Sequence, residues 1–438
     1  GKTTAARAIH AALGLARRPP QGWNSGAFLA AEVLRLRPGD RHGVLEVGIS
    51  RRGTMARCAR FIRPDVVVVT SIGSEHHLSL GSLETTRAEK AEMVRALPPT
   101  GLAVLNGDDA NVLWMRGQTR ARVLTFGFSA ACDVRASAVS LDMHRGMRFL
   151  LHAGGTARPM TSRLLGRHQV PALLAAIAVA LEEGVPLQEL LPRLGALDAM
   201  PERLEFMAAK NGASLLVDTY KSVWETSLAG LDTLQGFDGQ RKIVIQGEIE
   251  NPQGPQGRMY RELGTRLAGI AARVVFVGSS RAFESLAGGA RSAGMPRQRL
   301  ETAGRSPQRA AELVGADLRP GDVVLIKGRN AQHLERAAYR LAGRPVSCDV
   351  GMCRLKTGCA TCPLTPRPRR KCGPGTGAPS PPPRSISRAA SSRSHQTRSW
   401  PHCWGPRQYQ EHRHRSPPHR RTPPRRMRSN RCRGRPSD

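Results

Sequence analysis

No stretch of the 438-residue chain approaches the roughly 18 to 20 consecutive apolar residues that a membrane-spanning helix needs, and no secretory pattern opens it. A cytoplasmic protein without a membrane span is therefore expected. Self-similarity at solenoid periods is absent, which excludes a repeat array. The nine cysteines do not read as a disulfide framework, and the widely separated Cys58 and Cys132 look like single buried thiols. Acidic residues are scarcest at the C-terminal end. From Pro366 onward 19 Lys/Arg face only Glu411 and Asp438, so about half of the net charge of +33 lies in the last sixth of the chain.

That last sixth is rich in Pro, Arg, Ser and His and has a period of neither 2 nor 3.6, so residues 366–438 are expected to be disordered. Three readings of it stand side by side: a solvated charge run, a tail that attracts phosphate through counterion release, and out-of-frame translation of a GC-rich gene. Nucleic-acid binding by the protein is not expected.

The remainder has the length for two or three domains, and 40% hydrophobic residues agree with a globular majority. The chain opens on Gly1-Lys2-Thr3-Thr4, the second half of a G-x-x-x-x-G-K-[ST] phosphate loop, followed at once by a helix-like run. The motif's first half is expected upstream of Gly1. In such a loop the helix N-terminus and backbone N–H groups cradle phosphates, the lysine contacts them, and the threonine helps hold Mg²⁺.

Short apolar, β-branched runs at Gly43–Gly48 and Asp65–Thr70 predict buried parallel strands, whereas 86–97 and 171–183 carry helical spacing. A second series begins near Pro201. Its predicted strands are 214–217, 242–245, 274–277 and 322–326, with helices over 222–234 and 258–269. Strands alternating with helices indicate an α/β fold, in which ligands sit at the C-terminal ends of the strands. Glu46 and the imidazoles of His76 and His77 occupy such ends.

The order GKTT, E-V-G-x-x-x-x-G, R-P-D-V-V-V-V-T-S-I-G, a helical lysine, V-L-N-x-D-D and G-R-H resembles the ATP-dependent Mur ligase superfamily. That superfamily joins amino acids or peptides to UDP-N-acetylmuramoyl precursors and includes folylpolyglutamate and cyanophycin synthetases. The resemblance covers residues 1 to about 345. Within it, Arg63–Gly73, Gly81-Ser-Leu-Glu84 and Val104–Asp109 look most like the branch that adds D-alanyl-D-alanine to the muramoyl tripeptide.

The resemblance implies a P-loop ATPase domain over 1–198 and a Rossmann-like α/β C-terminal domain over 199–345. It implies that Gly1, Lys2, Thr3 and Thr4 bind ATP phosphates, with His168 and Gln169 near the nucleoside. Thr3, Glu46 and His76 would hold Mg²⁺, joined by Lys90 if carbamylated. Arg203 would reach the transferring phosphoryl group, and Asp218 and Lys327 would serve catalysis in the C-terminal domain. Trp23–Gly26 lies where the superfamily has a substrate-side loop. Gln169, Ala172 and Val223-Trp224 depart from its pattern.

The implied reaction is acyl phosphate formation from a carboxylate and ATP, followed by attack of an amine. The substrates would be a nucleotide-sugar peptide or related carboxylate and an amino acid or dipeptide, handled by a monomer in cell-wall precursor synthesis. A paralogue with another amino donor, or a catalytically impaired binding protein, is the alternative. Finally, Cys348, Cys353, Cys359 and Cys362 end in C-x-x-C and predict a small metal knuckle over 346–365, zinc before an iron–sulfur cluster, with unliganded thiols as the alternative.

Overall fold

The computed structural model describes residues 1–16, 24, 26–49, 51–73, 80–142, 145–237, 240–250, 255–355, 358–362 and 365. These lie in one compact unit, Gly1–Lys371. The basic stretch 366–438, expected to be disordered, lies outside the described residues. No helix among them is long and apolar enough to cross a membrane.

In chain order the first half forms α1 (Lys2–Ala12), α2 (Gly26–Leu34), α3 (Thr54–Ile62), β1 (Val66–Val69), α4 (Leu83–Arg95), β2 (Leu102–Asn106), the short α5 (Ala110–Leu113), β3 (Arg122–Gly127), β4 (Val134–Asp142), β5 (Gly146–Ala153), β6 (Thr156–Ser162), α6 (Val170–Glu182) and α7 (Leu187–Gly195). Strands β1 to β4 pair in parallel in sequence order, and β4, β5 and β6 continue the sheet as an antiparallel meander. Successive side chains of a strand point to opposite faces, so the apolar residues 102–105 of β2 serve two cores. Leu102 and Val104 meet α1 and α6 on one face, while Ala103 and Leu105 meet α3 and α4 on the other. The small Ala8 and Ala12, both at 0% exposure, let α1 settle closely on this core.

The second half forms β7 (Glu205–Ala208), β8 (Ser214–Asp218), α8 (Trp224–Gln235), β9 (Lys242–Gly247), α9 (Gln256–Ala268), β10 (Arg273–Val277), α10 (Ser280–Ser292), β11 (Leu300–Thr302), α11 (Pro307–Gly315), β12 (Val323–Lys327) and α12 (Glu335–Leu341). The sheet order is β11-β10-β9-β12-β8-β7, parallel except for β7. Alternation again builds two cores, with Val244, Phe276 and Leu325 on one face and Ile243, Val275 and Ile326 on the other. Each fully buried Val, Leu or Phe contributes about 2 kcal/mol. The four strands expected here are present within two residues of their predicted ends.

One expected strand is not. Residues 43–48 run as irregular backbone without ladder partners. They face β1 across a cavity of about 630 Å³ lined by Ala5, Ile9, Val44, Val47, Val67 and Val69. Strand propensity cannot make a strand where no neighbour lies within hydrogen-bonding distance.

Candidate active site

A larger cavity of about 840 Å³ opens between the phosphate-loop helix and the first segments of the second half. Gly1, Lys2, Thr3 and Glu46 line it on one side, and Arg203 and Lys221 on the other. Its walls thus bring together residues about 200 positions apart in sequence. Gly1 starts α1 beside the end of β1, where a Cβ would stand only 3.3 Å from Thr70 Oγ1. Thr3 and Thr4 are buried.

Glu46 is 7% exposed. Its Oε1 accepts from Asn24 Nδ2 at 2.8 Å, while Oε2 is buried without a partner among the described residues. A partnerless carboxylate oxygen in a dry site is costly. With the Thr3 hydroxyl on the same cavity it forms a hard oxygen donor set, which fits Mg²⁺. His76 lies outside the described residues, as do Trp23 and Ser25. Lys90 lines the neighbouring cavity, and its Nζ donates to the Ser71 carbonyl at 3.0 Å.

Sequence-distant polar groups hold this wall. Asn106 Nδ2 donates to the Thr70 carbonyl at 2.8 Å, and Asp109 Oδ2 accepts the Ile72 N–H at 2.8 Å. The V-L-N-x-D-D stretch therefore fixes the chain leaving β1. Glu89, from α4, accepts the Gly53 and Met55 N–H groups at 3.0 and 2.9 Å. These belong to the N-terminus of α3, where free donors and the helix dipole favour a carboxylate. Gly53 precedes α3 with φ +75°, a left-handed conformation that glycine takes without strain.

The opposite wall pairs most of its polar groups with one another. The Arg203 guanidinium stacks over Tyr220 at 4.3 Å, with Nε buried and without a partner among the described residues. Asp218 and Lys327 sit behind it. Lys327 is 0% exposed, and its Nζ donates to Asp218 Oδ2 at 2.6 Å and to the Lys221 carbonyl at 2.7 Å. Burial lowers the proton affinity of this ammonium while Asp218 opposes the effect. The arrangement has Lys327 orienting Asp218 and the 219–221 turn rather than facing the cavity.

His168 follows Gly166, whose φ of +95° and close approach to Thr233 Oγ1 set the turn. Gln169 lines a small side pocket with Thr4, Arg7 and Arg203. Ala172 is buried in α6 at 4% exposure, so it presents nothing to a nucleotide. Val223 lines the main cavity and precedes α8, while Trp224 packs on the core beneath.

The Mur ligase middle domain matches residues 1–180, and the Mur ligase glutamate ligase domain matches residues 202–330. The UDP-N-acetylmuramoyl-tripeptide–D-alanyl-D-alanine ligase of Mycobacterium tuberculosis is 32% identical over 354 residues, covering 76% of this chain and 69% of that protein. The chain belongs to the Mur ligase family. It is an ATP-dependent ligase. The Mycobacterium leprae enzyme of the same name is 30% identical over 361 residues, 76% of this chain and 69% of that protein. The fold matches the crystal structure of MurF ligase from Thermotoga maritima in complex with ADP, with TM-score 0.68 at 22% identity over 78% of this chain and 77% of that one.

The cysteine segment differs from expectation. The four thiols of this Mur ligase do not assemble into one ligand set. Cys348 Sγ accepts from the Arg336 guanidinium at 3.2 Å. Cys359 turns inward beside His333 and Glu335. Burial and the Glu335 carboxylate push its thiol far above the ordinary range. The buried Arg336 organises the segment, reaching the carbonyls of Cys348 at 3.3 Å and Val350 at 2.6 Å, so backbone capture outcompetes thiol clustering. Arg51, Arg57, Tyr220 and Lys221 also line the cavity but were not legible in the sequence.

Proposed function

We propose that this Mur ligase joins the terminal carboxylate of a UDP-N-acetylmuramoyl tripeptide to the amine of D-alanyl-D-alanine through an acyl phosphate, in peptidoglycan precursor synthesis in the cytoplasm. The observation that carries the reading is the charge of the cavity. Lys2, Arg51, Arg57, Arg203 and Lys221 line it, and Glu46 is the sole acid among its described lining residues. Such a wall suits reactants that together carry a triphosphate, a sugar diphosphate and peptide carboxylates. The two mycobacterial relatives supply the substrate names.

In this reading residues 1–198 bind ATP and residues 199–345 receive the amine. The start of α1 and Lys2 hold the phosphates, and Arg203 crosses to the transferring phosphoryl group as a planar cation. Thr3 and Glu46 are the residues that would hold Mg²⁺, with His76 and a carbamylated Lys90 completing the set. When bound, the ion offsets phosphate charge. Lys327 keeps Asp218 aimed. The paired walls exclude water from the acyl phosphate.

The test is substrate-dependent release of ADP and phosphate by the protein. Release that requires both the muramoyl tripeptide and D-alanyl-D-alanine, with the muramoyl pentapeptide as product, is expected. Release with a different amino donor would keep the ligase chemistry and replace the substrate. No release with any pair would favour a catalytically impaired binding paralogue.

A further inference from the structure

Behind the wall that carries Arg203 and Asp218 lies a dry polar cluster that the ligase reaction does not use. His333 is 1% exposed, Glu335 0% and Cys359 7%. One donor atom from each, an imidazole nitrogen, a carboxylate oxygen and a thiol sulfur, lies within 4.8 Å of the others. Glu335 Oε1 meets His333 Nδ1 at 2.7 Å and the Cys359 N–H at 3.4 Å, and Oε2 accepts from Thr219 Oγ1 at 3.1 Å.

Two features show that the chain is shaped to build this cluster. His333 has φ +48° and Glu202 φ +65°, left-handed conformations that cost a non-glycine residue of order 1 kcal/mol or more and persist where the surroundings demand them. Gly358, the residue before Cys359, leaves room for Glu202, since a Cβ there would come within 2.9 Å of Glu202 Oε1. Two carboxyl groups and a thiol thus share a buried volume with one imidazole. The neighbouring Arg336 gives its donors to backbone carbonyls and Cys348 Sγ, not to these carboxylates.

We propose that His333, Glu335 and Cys359 bind one divalent transition-metal ion, with zinc the best match to a nitrogen, oxygen and sulfur donor set. Donors around a tetrahedral zinc stand about 3.5 Å from one another, so small side-chain rotations close the set. Binding releases the thiol proton of Cys359 and the proton shared between His333 Nδ1 and Glu335 to solvent. Glu202 brings the next carboxylate to the same volume. The ion would staple residues 348–359 to the turn that follows Lys327-Gly-Arg-Asn330. It would also brace Glu202, next to Arg203, and Thr219, next to Asp218. Its role is structural, behind the reaction cavity and apart from Mg²⁺.

The test loads the full chain, after chelator treatment, with zinc or cobalt(II) and reads metal content and absorption. One ion per chain is expected, and the cobalt form should show a thiolate-to-cobalt charge-transfer band. Cys359→Ser should abolish that band and weaken zinc binding at least about tenfold, while Cys353→Ser and Cys362→Ser leave both unchanged. His333→Ala should weaken binding similarly, with circular dichroism checking that each variant is folded. Failure of the folded wild-type chain to take up an ion, an unchanged band in Cys359→Ser, or loss of binding in Cys353→Ser or Cys362→Ser would each overturn the proposal. None of these readouts depends on the ligase substrates.

Discussion

The two walls of the reaction cavity solve different problems. On the first, Glu46 keeps a buried carboxylate oxygen without a partner among the described residues. On the second, Lys327 pairs with Asp218 and with the Lys221 carbonyl, and Thr219 donates to Glu335. One wall holds polar capacity in reserve for ligands, whereas the other, Arg203 apart, uses its capacity to hold a shape. Chemical importance and structural importance should therefore separate across the cavity, although both walls carry charged residues at strand ends or helix starts.

The sharpest way to break this comparison is a pair of lysine variants. Lys2→Ala should reduce turnover by about 10³-fold, the scale of a lost phosphate-stabilising group, with little change in the unfolding midpoint. Lys327→Met should instead cost about 3–5 kcal/mol in urea unfolding, because Asp218 is left without its buried partner. Equal stability losses in the two variants would erase the distinction. Next in size, Glu46→Gln should lower turnover by about 10²-fold and raise the Mg²⁺ concentration needed, yet leave stability unchanged or higher, because the buried oxygen without a partner no longer belongs to a carboxylate. Thermal unfolding beside a Mg²⁺ titration checks both halves.

A pH series sharpens the second wall. Burial, with the Glu335 charge beside it, pushes the Glu202 carboxyl up to about 7. The folded chain then holds a proton that the unfolded chain, with an ordinary glutamate near 4.3, has released. Stability from this group is full below about pH 4 and is lost as pH rises through about 7. For chelator-treated protein the loss should be of order 3 kcal/mol, and Glu202→Gln should flatten it. The smallest effect belongs to the first wall's scaffold. Glu89→Gln should cost about 1 kcal/mol by weakening the carboxylate at the start of α3, read from the urea midpoint.

Four of the six strands of the second sheet were legible, because buried parallel strands are continuous apolar, largely β-branched runs such as Val274–Val277 and Val323–Ile326, whereas the edge strands β7 and β11 were not anticipated. The same signal misled at 43–48, where composition favours a strand but the nearest ladder lies across a cavity. The β4 to β6 meander was not anticipated, since its half-exposed strands alternate polar and apolar residues. For the site, Lys2, Thr3, Glu46 and Arg203 were named from sequence and line one cavity. The Glu89 cap and the Tyr220 platform were not, because each acts on a partner distant in sequence or in packing. The cysteine spacing suggested four thiols together, whereas the neighbours of Cys359 are His333 and Glu335, more than 20 residues upstream.

Strand β12 lies at the middle of the second sheet, between β9 and β8, yet among the described residues it is the last strand made. Until Val323–Lys327 leaves the ribosome, β8 and β9 each present an unpaired edge, and the two parts of the sheet have no common strand to join them. The C-terminal half consequently cannot mature piece by piece during synthesis, and its closure waits for one late, non-local event. A chain ending before Val323 would be an aggregation hazard rather than a smaller ligase, and the same insertion delivers Lys327 to Asp218, so completion of the sheet and completion of the second wall are one step.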